Sequence, residues 1–158
     1  MSDTFIDKDH QYMQIAMEQA EMAASHQDVP VGAVLVDRAT GEIVAVGHNT
    51  KEISGMVTGH AEINAIEEAN QKRGSWRLSD CTLYVTLEPC PMCTGAILAS
   101  RIPLVICAAK DPVAGAMGSV WALHQNQTQS TSTKIVFGCM EDESKNMLRM
   151  FFEDRRKS

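Results

Sequence analysis

The sequence shows no long hydrophobic run, no signal-peptide pattern in its first residues and no excess of basic charge. No apolar stretch in its 158 residues approaches the ~20 that a membrane-spanning helix needs, so we expect no membrane contact. Residues 1–4 are acidic and lack the basic-then-apolar order of a signal peptide, which predicts a cytoplasmic protein. An apolar fraction of 44% and a charged fraction of 22% are typical of globular chains, and the length predicts one domain covering residues 1–158.

The cysteines do not form the pattern of a disulfide framework. They number five, which is odd, and a cytoplasmic compartment keeps thiols reduced. Cys81, Cys107 and Cys139 lie inside or at the edges of apolar runs, where we expect them to act as small buried hydrophobic side chains. This interpretation leaves Cys90 and Cys93, which are separated by two residues.

Basic charge is scarce over most of the chain. The net charge of −6 argues against a broad nucleic-acid surface, because binding to phosphates relies on lysine and arginine. Residues 1–30 carry six acidic side chains against one lysine, whereas the chain ends with Arg149, Arg155, Arg156 and Lys157. We therefore expect at most a small basic footprint, at the C-terminal end.

Apolar periodicity predicts alternating helices and strands. Predicted strands cover 31–36, 42–47, 83–87, 104–108 and 135–137, and predicted helices cover 8–25, 60–72, 91–100 and 141–155. The last predicted helix is acidic at its start and basic at its end, as the helix dipole favours.

This order of elements predicts an α/β fold. The turn at 37–41 joins the first two strands in an antiparallel hairpin, and the helix at 91–100 joins two strands that we expect to be parallel. The connection before the fifth strand is too long for a hairpin, so we predict a second parallel crossover with a short helix at 119–124. The apolar-free segment 125–133 is predicted to be a mobile loop. The result is a three-layer α/β/α arrangement around a five-stranded mixed sheet.

Two short motifs contain side chains that bind metals. The sequence H-A-E occupies residues 60–62, and P-C-P-M-C occupies residues 89–93. One imidazole and two thiols suit Zn²⁺, and three protein ligands leave one tetrahedral position open, as in catalytic sites. Glu62 is not needed as a ligand, so it is available to carry protons for a zinc-activated water. H-x-E followed by P-C-x-x-C is the signature of zinc nucleobase deaminases, which predicts a hydrolytic deaminase.

The placement of both motifs supports a shared site. Each follows a turn and begins a helix, so two positively polarised helix N-termini are expected to meet at one metal ion. That field and the metal together favour the thiolate forms of Cys90 and Cys93.

Three other interpretations remain open at this stage. Glu62 would be an ordinary solvated helix residue if the metal site did not form. The zinc would be structural if His48, His124 or Cys81 supplied a fourth ligand. Asn49, which follows the second strand, is by default a turn-forming residue.

With these motifs in place, the sequence resembles the tRNA-specific adenosine deaminases of the cytidine deaminase-like superfamily. The resemblance covers most of the chain. It includes V-P-V-G-A-V at 29–34, G-H-N at 47–49, H-A-E-I-N-A-I at 60–66, S-W-R-L at 75–78, L-Y-V-T-L-E-P-C at 83–90, G-A-M-G-S at 115–119, and F-F at 151–152 followed by R-R at 155–156. The zinc motif belongs to the whole superfamily, whereas the G-A-x-G-S and F-F-x-x-R-R segments are typical of the tRNA branch.

The resemblance implies the cytidine deaminase-like fold and the hydrolytic conversion of adenosine to inosine at the wobble position of a tRNA anticodon. By the matching positions, His60, Cys90 and Cys93 bind one zinc ion per subunit, and Glu62 is the proton shuttle. Members of the family are homodimers that bind the anticodon loop near the subunit boundary.

The resemblance also implies a set of substrate-binding residues. Asn49 is expected to hydrogen-bond the flipped base, and Val31 and Leu87 to line its pocket. Asp111 is expected beside the nucleotide backbone. A single-stranded loop is the expected target, because a base must leave its stack to reach a buried metal.

The chain departs from the family pattern where RNA contacts are expected. Val113 stands where members usually carry a lysine, and the loop at 125–133 replaces an Asn-His pair. A free-base deaminase acting on guanine or cytosine, with the same fold and metal, is therefore the alternative function. A catalytically silent partner subunit is a further class, but such subunits typically lack the glutamate that is present here as Glu62.

Overall fold

The computed structural model describes residues 5–125 and 132–157. The helices are α1 (Asp7–Ser25), α2 (Lys51–Ser54), α3 (Ala61–Arg73), α4 (Pro91–Ala99) and α5 (Glu141–Lys157), and the strands are β1 (Gly32–Asp37), β2 (Ile43–His48), β3 (Cys81–Leu87), β4 (Leu104–Ala109) and β5 (Lys134–Phe137). A 3₁₀ turn covers Leu123–Gln125. Residues 126–131 of the predicted loop at 125–133 lie outside the described residues.

The five strands form one mixed sheet in the order β2-β1-β3-β4-β5. Strand β1 is antiparallel to both β2 and β3, and β3, β4 and β5 are mutually parallel. The predicted hairpin and both predicted parallel crossovers are therefore confirmed. Because β3 and β4 are parallel, their carboxyl ends meet at one edge, where ligands bind in α/β proteins.

Helices cover both faces of the sheet, as the three-layer prediction requires. On one face α3 and α4 bury small and branched side chains, including Ala65, Ile66 and Ile97, against the strands. On the other face α1 packs Met13 and Ala16 against β1, β3 and β4. Burial of this apolar area contributes about 25 cal/mol per Å² to the free energy of folding. The prediction that Cys81, Cys107 and Cys139 are buried is also confirmed.

One glycine explains how α3 reaches the edge of the sheet. A Cβ atom added at Gly47 in β2 would lie 2.7 Å from the backbone nitrogen of Ala65. Only a residue without a side chain therefore allows the first turns of α3 to lie directly on β2. This close approach fixes where the residues at the start of α3 point.

Two local predictions need correction. The segment between β2 and α3, for which no helix was predicted, contains the short helix α2. The helix predicted at 119–124 is wrong, because Gly118 has a φ angle of +135° and the chain turns back on itself. The backbone nitrogens of Val120 and Trp121 both donate to the carbonyl of Gly115, and a 3₁₀ turn forms only from Leu123 onward. None of the helices in residues 5–125 and 132–157 combines the length and apolar character that crossing a bilayer requires.

Candidate metal centre and active site

The three predicted zinc ligands meet where α3 and α4 begin. His60 is the N-cap residue of α3, Cys90 is the N-cap residue of α4, and Cys93 lies in the first turn of α4. Their potential ligand atoms all lie within 4.8 Å of one another. The two helix N-termini therefore meet as expected, and each directs positive partial charge toward the same point.

The distances within this group match tetrahedral zinc. The Nδ1 atom of His60 lies 3.6 Å from Sγ of Cys90 and 3.4 Å from Sγ of Cys93. Tetrahedral bonds from zinc to one nitrogen and two sulfurs place the nitrogen about 3.5 Å from each sulfur. The side chains therefore fit a zinc ion with little rearrangement.

The cluster contains three candidate ligands and leaves one position open. Within residues 5–125 and 132–157, no fourth histidine, cysteine, aspartate or glutamate belongs to the group. His48, His124 and Cys81, considered above as a fourth ligand, are not part of it. Three ligands and one free position are typical of catalytic zinc sites and not of structural ones.

The two sulfurs are electrostatically distinct. A hydrogen bond with Cys93 lowers the pKa of the Cys90 thiol to about 4, and hydrogen bonding to His60 acts in the same direction. The same bond to Cys90, together with burial, raises the pKa of Cys93. One sulfur is thus a thiolate at neutral pH, which is the form that binds zinc, and a bound cation favours deprotonation of the other.

Glu62 lies beside the cluster without belonging to it. It occupies the first turn of α3, and its residue is 3% exposed. Burial raises the pKa of its carboxyl to about 7. A carboxyl group whose pKa lies near neutrality both accepts and returns protons efficiently at physiological pH.

A cavity of about 300 Å³ opens over this cluster. All four predicted substrate-binding residues line it, namely Val31, Asn49, Leu87 and Asp111, as do His60, Glu62 and Cys90. The volume is at the lower end of the range for small-molecule sites. The structure therefore brings the metal motif and the predicted substrate residues into one pocket.

Asn49 is held in a defined orientation. Its Oδ1 atom accepts a 2.8 Å hydrogen bond from the backbone nitrogen of Ala61, and its own backbone nitrogen donates to the carbonyl of Val31. Since the oxygen is used by α3, the NH₂ group is the part of the amide left to donate into the cavity. Asn64 supports this arrangement, because its Nδ2 atom donates to the carbonyl of His48 and to Oγ1 of Thr50.

The carboxylate of Asp111 is used by its own loop. Its Oδ1 atom accepts hydrogen bonds from the backbone nitrogens of Val113, at 2.9 Å, and Ala114, at 3.2 Å. It thereby stabilises the turn that follows β4. Its expected place beside a nucleotide backbone stays a prediction.

Sequence reasoning missed two buried carboxylates in the pocket wall. Asp28 and Glu88 are each 2% exposed and line the cavity. Glu88 has a sequence signal, because a charged residue directly between a buried strand and a metal motif requires hydrogen-bond partners. Asp28 has none beyond its place before a valine-proline pair. Arg155, at the basic C-terminal end, also lines the cavity.

Comparisons with known proteins agree with this geometry. Residues 6–109 match the family described as the cytidine and deoxycytidylate deaminase zinc-binding region. The chain is 43% identical over 150 residues to the tRNA-specific adenosine deaminase of Bacillus subtilis (strain 168), covering 95% of this chain and 92% of that protein.

Solved structures show the same likeness. A structure from a study of A-to-I editing by tRNA:A34 deaminases at the wobble position of transfer RNA superposes with a TM-score of 0.83, at 37% identity, covering 87% of this chain and 99% of that one. A guanine deaminase from Bacillus subtilis is 39% identical with a TM-score of 0.60, covering 63% of each chain. By its zinc-binding region and by its similarity to a relative matched over nearly its whole length, the chain belongs to the tRNA-specific adenosine deaminases, within the zinc-binding cytidine and deoxycytidylate deaminase family.

Proposed function

We propose that this protein hydrolyses the 6-amino group of adenosine at the wobble position of a tRNA anticodon, releasing ammonia and leaving inosine. One observation carries the proposal: a His-Cys-Cys cluster with an open position lies beside a buried carboxylate in a cavity of base-sized volume. The family to which the chain belongs supports the choice of tRNA as substrate.

His60, Cys90 and Cys93 would hold the zinc ion. When bound, zinc supplies the positive charge that makes water acidic enough to be a nucleophile at neutral pH. The carboxylate of Glu62 takes the proton from that water. It gives this proton to the ring nitrogen, then takes the second proton from the hydroxyl group formed at C6 and gives it to the amine, which leaves as ammonia. The group therefore acts in turn as a base and as an acid.

The remaining pocket residues orient the base. The NH₂ group of Asn49 would donate to an acceptor on the purine, and the side chains of Val31 and Leu87 would contact its faces. The pocket admits a base only after it has left its stack, so the anticodon loop is a suitable target. Lys51 and Arg155 line the cavity and offer positive charge for the flanking phosphates, and Asp111 would lie beside the backbone.

We further propose that residues 1–158 form one deaminase domain that acts in the cytoplasm as a homodimer. None of the five cysteines forms a disulfide, which suits a reducing compartment. Among the described residues between β4 and β5, four large apolar side chains are exposed by more than a third, which suits a protein interface: Val113, Val120, Trp121 and Leu123. Light scattering of the purified protein tests the dimer, because a mass of one chain would contradict it.

The alternative is a free-base deaminase. The cavity is small enough for a single base, and Arg155 from the C-terminal helix lines it. A free-base deaminase needs C-terminal residues that close its pocket over the base. The structural likeness to a guanine deaminase makes guanine the base to test first.

A side-by-side product assay separates the two functions. Zinc-loaded protein is offered anticodon stem-loop RNA, free guanine, cytosine and adenosine, and ammonia release is followed. We expect turnover of the stem-loop alone, with inosine at the wobble position, and none of a matched stem-loop carrying guanosine there. Turnover confined to a free base would contradict the tRNA proposal.

A further inference from the structure

Part of the cavity wall is formed by a segment with little regular structure. Residues 111–119 follow β4 as a series of turns and contribute Asp111 and Ala114 to the cavity. The segment contains no helix or strand that would hold those residues in place. The carboxylate of Asp111 closes the first turn of the segment. Contacts from outside are needed to hold the rest against the cavity, because an irregular backbone is otherwise the most mobile part of a fold.

The buried carboxylate of Glu88 is bonded to both ends of this segment. Its Oε1 atom accepts from the backbone nitrogen of Asp111, at 3.1 Å, and from the hydroxyl of Ser119. Its Oε2 atom accepts from the backbone nitrogens of Met117, at 3.0 Å, and Ser119, at 3.1 Å. Every partner donates, so both oxygens of the side chain act as acceptors.

The segment is shaped to fit this carboxylate closely. A Cβ atom added at Gly115 would lie 2.5 Å from Oε2 of Glu88 and 2.5 Å from the carbonyl of Asp111. The neighbouring nitrogen of Ala116 donates to the carbonyl of Pro89 at 2.8 Å. The segment is thus wrapped around the strand-to-helix connection that carries Cys90.

We propose that Glu88 is a positioning residue for substrate binding: its carboxylate holds segment 111–119 against the cavity, so that the RNA meets a preformed wall. The inference rests on the proposed function for the identity of the substrate, but not for the existence of the wall. Glu88 does not belong to the metal cluster, and four donors of the segment occupy its two oxygens, so its effect on turnover is exerted through the segment.

The geometry predicts how replacement by glutamine acts. In Glu88→Gln the NH₂ group has to replace one oxygen. At the Oε2 place it would face two backbone N–H groups, neither of which can accept. At the Oε1 place the hydroxyl of Ser119 can rotate and accept, so only the backbone nitrogen of Asp111 loses its partner. We therefore expect the Glu88→Gln protein to keep its fold, with the start of segment 111–119 held less firmly.

The experiment separates binding from chemistry. In Glu88→Gln we expect KM for stem-loop RNA to rise about tenfold, which corresponds to losing one hydrogen bond to a charged acceptor, while kcat changes by less than about twofold. Zinc content should equal that of wild type. Hydrogen–deuterium exchange should be faster in peptides covering 111–119 and unchanged in α3. The control is Glu67→Gln, the same change at an exposed site on α3, which should resemble wild type in all readouts.

A second variant tests the same geometry if Glu88→Gln folds poorly. Ser119→Ala removes one donor and leaves the carboxylate with three, so we expect only a small rise in KM. Where Glu88→Gln does fold, adding Ser119→Ala to it should raise KM by a larger factor than Ser119→Ala alone, because in the segment the hydroxyl of Ser119 is the group that accepts from the new amide.

The outcomes are distinguishable from failure of the proposed function. If wild-type protein deaminates only a free base, the tRNA proposal fails, and the exchange rates of segment 111–119 still test Glu88. Unchanged exchange and unchanged KM in Glu88→Gln would overturn the inference. So would loss of zinc or a fall in kcat at constant KM, because both would place Glu88 with the metal site instead of with the segment.

Discussion

The floor and the rim of the pocket are built in different ways. The floor consists of His60, Glu62, Cys90 and Cys93, which all lie at the starts of two helices. The rim consists of segments 51–54 and 111–119. Local sequence places the floor residues, because capping positions and helix starts follow from a few neighbouring residues. The rim depends instead on side chains from distant parts of the chain.

Two buried carboxylates perform the same task, one for each segment of the rim. Asp28 accepts from the backbone nitrogen of Glu52 at 2.9 Å through Oδ2, and from that of Val29 at 2.9 Å through Oδ1. Glu88 holds segment 111–119 through four donors. The comparison shows that the first turns of two helices position the catalytic side chains. The shape of the pocket entrance, and with it the fit of the substrate, depends instead on two buried carboxylates, Asp28 and Glu88. Substitutions in the floor should therefore lower kcat, whereas substitutions in the rim should mainly raise KM.

Removal of the floor carboxylate should have the largest effect. In Glu62→Ala we expect kcat to fall by about a hundredfold to ten-thousandfold, the usual contribution of a general acid–base group, with zinc retained. Activity on stem-loop RNA and zinc content by atomic absorption check this. Glu67→Ala on the exposed side of the same helix is the matched control. A Glu62→Ala protein that deaminates at a rate near wild type would refute its role as the proton carrier.

Crowding the rim should give a smaller effect of a different kind. In Gly115→Ala the new methyl group would meet Oε2 of Glu88 at 2.5 Å, so the segment must move away. We expect KM for stem-loop RNA to rise roughly tenfold, as for a lost charge-assisted hydrogen bond, with kcat less affected. Gly95→Ala in α4 is the control, because a Cβ atom there has no neighbour within 4 Å. Equal KM values for the two variants would contradict the close fit of segment 111–119.

Loosening the other side of the rim should give the smallest effect. In Asp28→Asn one oxygen becomes an NH₂ group, so either Val29 or Glu52 loses its acceptor. The cost of about 1 kcal/mol predicts a rise in KM of about fivefold and no change in zinc content. Asp7→Asn, at an exposed position in α1, is the control. If Asp28→Asn instead lowered kcat at constant KM, the separation of floor from rim would be wrong.

The difference between floor and rim also explains which features could be predicted from the sequence. Apolar periodicity and turn residues gave the five strands, the main helices and the mixed sheet, because each depends on neighbouring residues. The ligand cluster followed from the spacing of His60, Cys90 and Cys93. The rim could not be predicted, because hydrogen bonds such as that from Glu52 to Asp28 join residues 24 positions apart. The helix expected at 119–124 failed for a related reason, since Gly118 and the donors to Glu88 impose turns there.

The coordination of the bound metal tests the central claim most directly. X-ray absorption at the zinc edge, measured on purified protein, should show two sulfur ligands at about 2.3 Å and two lighter ligands at about 2.0 Å, one from imidazole and one exchangeable with solvent. Cys90→Ser should lose most of its zinc. A site with four protein ligands, or a protein that binds no zinc at all, would contradict the account.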